Sequence, residues 1–140
     1  MKHATKPISA LKLVQLCCRA LEAKKAGDLL VLDVRAQSSI TDYLVLATGT
    51  SEPHLRALRI ELEKTLDGAK TQVLGIESVQ ESGWVVVDTF DVMVHLFLAE
   101  TRARYALENL WKDAIKVPAA KLMVAQKLQN ERSRRKTSAK

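Results

Sequence analysis

The stretch WVVVDTFDVMVHLFLAETRARYALENLW, Trp84 to Trp111, decides the fold. It holds both tryptophans, both phenylalanines and one of the two tyrosines of a chain that is only 4% aromatic, so its rings are concentrated. Trp84 to Asp88 and Asp91 to Leu98 are rich in β-branched residues and read as strands. Thr89-Phe90 is short enough to join them as a hairpin. Alternation puts Val92, Val94, Leu96 and Leu98 on one face, and Asp91, Met93, His95 and Phe97 on the other. Both faces are largely apolar, which predicts a pair covered on both sides, or covered on one and sticky on the other. A helix follows the strands, in which Leu107, Leu110, Trp111 and Ala114 recur at helical spacing and make one apolar stripe.

Upstream, Ile8 to Lys25 reads as a helix with Leu11, Val14, Cys18 and Leu21 inward, stopped by Gly27-Asp28. Leu29 to Val34 and Tyr43 to Thr48 read as buried strands. Ser51 is a good N-cap for a helix striped by Leu55, Leu58, Leu62 and Leu66 and closed by Asp67-Gly68. Thr71 to Glu77 is a weaker strand. A strand-helix-strand unit plus a hairpin implies a mixed sheet with helices packed on it.

The chain has 140 residues and a net charge of +6. That length suits one domain able to bury roughly two-thirds of its surface. Residues 1–114 carry 14 Lys+Arg against 15 Asp+Glu, and residues 115–140 carry 8 against 1. The body is therefore −1 and the tail +7, so the body does not read as a basic nucleic-acid module. The expected division is a domain over 1–114 and a basic extension over 115–140. Residues from Pro118 to about Gln129 can form a helix, and NERSRRKTSAK is expected to be disordered alone. No apolar run approaches the ~20 residues of a membrane span. The start, MKHATKPIS, shows no signal peptide. Cys17 and Cys18 are helical neighbours, which suits packing thiols of a reducing, cytoplasmic compartment.

A catalytic constellation is not visible. TGTS before a helix could hold an anion, but it lacks a glycine-rich phosphate motif, and a plain strand-to-helix turn is the simpler account. Asp88 and Asp91 could hold Mg²⁺, yet three apart along a strand they would face oppositely; hairpin-end aspartates are the simpler account. His3, His54 and His95 have no metal-ligand spacing. Ser51 with His54 lacks a clear third member. No cofactor, metal or catalytic residue is expected. What remains is surface: aromatics with acids at the rim suit protein binding, although Trp84 and Trp111 could equally be core.

DLLVLDV, SSITDYLVLATGTSEPH, Gly75, WVVVDTFDVMVHLF and RARYALENLWKDA resemble, in order, the ribosomal silencing factor family RsfS, also called Iojap. The resemblance implies an α/β fold with a mixed sheet of about five strands flanked by helices, nucleotidyltransferase-like without the catalytic residues. It also implies a non-enzymatic factor that binds the large ribosomal subunit through ribosomal protein number fourteen, blocks joining of the small subunit and represses translation. Relatives act in large-subunit assembly, and dimers occur. A general RNA-binding module and a nucleotidyl-transfer enzyme are the competing readings. The expected partner contacts are Trp84, Asp88, Phe90, Tyr105, Glu108 and Trp111. Arg132, Arg134, Arg135 and Lys136 of the tail are candidates for ribosomal RNA. The chain departs from the family at Phe90, where a glycine is usual, and a different turn is expected there.

Overall fold

A computed structural model describes residues 9–78, 82–111 and 113–118. Its elements are α1 (Ala10–Ala23), β1 (Gly27–Asp33), β2 (Tyr43–Gly49), α2 (Glu52–Gly68), β3 (Val73–Ser78), β4 (Trp84–Thr89), β5 (Val92–Leu98), α3 (Ala99–Tyr105), α4 (Leu107–Leu110) and β6 (Ile115–Lys116). The strands form one mixed sheet in the order β3-β4-β5-β2-β1-β6. Only β2 and β5 pair in parallel; each of the other neighbours is antiparallel. Among the described residues the sheet has six strands, against the expected five or so. The sixth is the two-residue β6, whose Ile115 and Lys116 lie opposite Asp33 and Leu32 of β1. The sheet thus extends past Ala114, where the sequence alone places the end of the body.

The alternation read in β5 is realised. Val92, Val94 and Leu96 join Val45, Ala47, Val85 and Val87 in a core beneath α1 and α2. Phe97 joins Leu32, Val34, Leu44 and Leu46 in a second core on the opposite face, with Met93 packed against it. Helix α2 buries Leu55, Leu58, Leu62 and Leu66 completely or nearly so, as their three- and four-residue spacing requires. Ser51 caps it by accepting the His54 N–H at 3.2 Å. Its end departs from expectation. Gly68 is still helical, and the chain reverses at Lys70, which takes φ 56 while its N–H donates to Asp67 O.

The helix expected after the strand pair, with Leu107, Leu110, Trp111 and Ala114 as its stripe, is not one helix. Ala106 adopts φ 44, ψ 52, the left-handed conformation, and its N–H closes α3 on Arg102 O. A four-residue α4 follows, and Leu110 is 74% exposed. Beyond the break at Ala106, Leu107, Trp111 and Ala114 pack on the second core and β6 pairs with β1.

Among the described residues, no helix is long and apolar enough to cross a membrane.

A candidate docking face on the open side of the sheet

Strand β4 alternates regularly: Val85, Val87 and Thr89 are buried toward the helices, while Trp84, Val86 and Asp88 are half-buried on the other side. Helices α1 and α2 cover the first side. Beside β4, the second side stays partly open among the described residues, with Val86 opposite His95 and Asp88 opposite Met93.

Trp84 is placed by the turn before it. Gly83 has φ 73, and a Cβ there would lie 2.5 Å from Thr101 Oγ1 and 3.1 Å from Leu98 Cδ1. Only glycine fits such a close, positive-φ approach. Thr101 Oγ1 donates to Ser82 O and Leu98 N–H to Gly83 O, which ties the start of β4 to the start of α3. The indole then meets three rings. Its centroid is 4.8 Å from Tyr105, 5.0 Å from Phe97 and 5.9 Å from His95. Its Nε1–H donates to His95 Nδ1 at 3.1 Å. His95 stacks on Phe97 with planes 10° apart. Burial lowers the His95 pKa to about 4, so the ring is neutral at physiological pH.

The expected contact residues divide. Trp84 and Tyr105 pack ring against ring with their planes tilted by 44°, and Asp88 shares the Trp84 side of β4. Burial first, then the nearby Glu77, raises the Asp88 carboxyl above its usual range. Phe90 is 76% exposed at the tip of the β4–β5 turn. That turn keeps Phe90 out of the positive-φ region, and Thr89 closes it: its Oγ1 donates to Val92 O and accepts from Val92 N–H. Glu108 is engaged elsewhere. It accepts from Arg102 Nε at 3.1 Å, and the same guanidinium donates to Asp28 O and Thr48 Oγ1. Trp111 packs half-buried on the second core. Arg132, Arg134, Arg135 and Lys136 lie outside the described residues. His95 and Phe97, which hold Trp84, went unrecognised as site residues from sequence; the one signal was their alternation onto the face opposite Val94.

The His54 ring and the Asp91 backbone tie elements of the fold together. His54 Nδ1 accepts the Thr50 N–H at 2.9 Å and its Nε2 bonds Lys24 O at 2.7 Å, stitching the start of α2 to the end of α1. Asp91 O accepts the N–H groups of Asp42 and Tyr43, which seats β2. Among the described residues, no group of three or more His, Cys, Asp or Glu side chains could hold a metal ion. Cys17 and Cys18 are buried free thiols, pushed up to about 12 chiefly by burial.

The family model described as "Ribosomal silencing factor during starvation" matches residues 7–140. The chain belongs to the RsfS family. It is 35% identical over 107 residues to "Ribosomal silencing factor RsfS" of Halalkalibacterium halodurans, covering 76% of this chain and 92% of that one. It is 33% identical over 101 residues to "Mitochondrial assembly of ribosomal large subunit protein 1" of Mus musculus, covering 70% and 44%. A crystal structure of a Chromobacterium violaceum protein superposes with a TM-score of 0.73 at 31% identity, covering 75% and 88%. The mixed sheet flanked by helices is thus an RsfS-family fold, and the family's names tie it to ribosome silencing and translation regulation.

Proposed function

We propose that this chain is a cytoplasmic translation repressor that binds the large ribosomal subunit through ribosomal protein number fourteen and blocks joining of the small subunit. The observation that carries the reading is the half-buried side of β4, where Trp84, Val86 and Asp88 face outward beside Met93. An apolar and aromatic centre with acids at its rim suits a basic protein partner. Trp84 and Tyr105 form the centre of the contact, Asp88, Phe90 and Trp111 its margins, and Glu108 supports α4 through Arg102. This role requires no reaction, cofactor or metal. Ribosomal RNA meets the tail, and the free protein can pair with a second copy.

The test is sucrose-gradient sedimentation of purified mature subunits with and without the protein. The protein is expected to travel with the large subunit alone and to deplete the joined particle. An unchanged joined-particle peak at saturating protein removes the reading. The name of the mouse relative favours a second role, in large-subunit assembly. That role alone would leave the joining of mature subunits untouched.

A further inference from the structure

The Trp84 indole is held by more than packing. An indole N–H is only a donor, so the atom that receives it must offer a lone pair. His95 Nδ1 receives it at 3.1 Å. The remaining ring proton must then reside on Nε2, because an imidazolium has no acceptor to give. The His95 ring is itself immobilised. It is 8% exposed, lies opposite Val86 in the register, and stacks on the fully buried Phe97. Trp84 stands opposite Phe97, so the Trp84–His95 bond is a diagonal cross-strand link. To the ring contacts with Tyr105 and Phe97 this bond adds a directional restraint on the plane of the indole.

We propose that His95 is a positioning residue for the open face: held as the neutral Nε2–H tautomer, it accepts the Trp84 N–H at Nδ1 and fixes the plane in which the indole meets a partner. The inference rests on the reading of that face as the docking surface. Its physical content is preorganisation: an indole already fixed in its bound orientation loses less freedom on docking. His95 acts through Trp84 and needs no contact with the partner.

Two measurements test it on the full chain. The first needs no partner. Long-range proton–nitrogen NMR spectra of His95 at neutral pH should show the Nε2–H tautomer. The Trp84 indole N–H should be shifted as a hydrogen-bonded donor. His95→Phe should abolish that shift, and His95→Asn, whose amide oxygen occupies the place of Nδ1, should restore it. A charged ring or an Nδ1–H tautomer overturns the proposal. The second measurement is co-sedimentation with isolated large ribosomal subunits. His95→Phe should weaken binding about tenfold. His95→Asn should recover most of it, and in a Trp84→Phe background the His95→Phe change should cost at most about twofold. Equal losses in both backgrounds overturn the proposal, as does an Asn variant that folds but binds no better than the Phe variant. If the unmodified protein does not sediment with the subunit, the functional reading fails instead, and the tautomer spectra decide the lock by themselves.

Discussion

Protonating His95 in the folded protein means charging a ring that burial keeps neutral. Its pKa falls from the ordinary 6.5 to about 4. Between those values the unfolded chain binds a proton that the folded chain does not, so stability is lost as the pH falls from 6.5 toward 4. The loss is about 1.4 kcal/mol per pH unit at its steepest, and roughly 3 kcal/mol in all. Asp88 and Asp91, whose carboxyls burial raises, act in the opposite sense at the acid end of that window. Comparing urea midpoints of the natural protein and His95→Asn at pH 7 and pH 4.5 cancels their contribution. The natural protein should lose more stability on acidification; equal losses remove the burial account. Asp88 carries a second prediction. Asp88→Lys should weaken large-subunit binding about tenfold or more by reversing complementarity to a basic partner. It also replaces a carboxylate crowded by Glu77 with a cation, so the fold should survive. An intact circular-dichroism spectrum with undiminished sedimentation on the subunit would take Asp88 out of the contact.

The ends of the helices show where periodicity stops informing. The start and buried side of helix α2 are legible: four leucines at three- and four-residue spacing fall inward, and Ser51 announces its start. Its end is not, because the residue that turns left-handed is Lys70 and not the nearby Gly68. The same blindness splits the C-terminal helix. Leu107, Leu110, Trp111 and Ala114 have helical spacing, but α4 ends at Leu110, and Ala106, which carries no turn signal, separates it from α3. The pairing of β6 with β1 follows directly after this segment and carries no signal of its own in the sequence. Likewise the Trp84–His95 bond, eleven residues apart, emerges only once strand register is fixed. A left-handed backbone costs a side chain about 1 kcal/mol that glycine avoids. Lys70 is solvent-exposed, so Lys70→Gly should raise stability by about 0.5–1 kcal/mol in thermal or denaturant unfolding. A lowered midpoint would mean that the lysine side chain contributes more at this cap than its backbone strain costs.

At the scale of the whole molecule, charge is segregated along the chain. Residues 1–114 sum to −1 and residues 115–140 to +7. The first of the basic residues, Lys116, belongs to β6, and Val117 N–H donates to Val31 O, so the segment begins as part of the sheet. A cut after Ala114 would therefore remove a strand, whereas deleting Asn130–Lys140 leaves β6 and the open face intact. That deletion takes away Arg132, Arg134, Arg135, Lys136 and Lys140. The proposed contact of this basic segment with ribosomal RNA would neutralise phosphates. Each phosphate neutralised releases counterions and adds a slope of about −0.7 to −0.9 to the dependence of log affinity on log salt. A contact made only by the open face lacks this addition. We expect the truncated protein to keep its fold, to bind the large subunit more weakly at low salt, and to lose affinity less steeply as salt rises. Fluorescence anisotropy titrations of both proteins against isolated large subunits at several salt concentrations measure the two slopes. Parallel lines would confine the tail to solubility and leave the sheet face to account for the whole affinity.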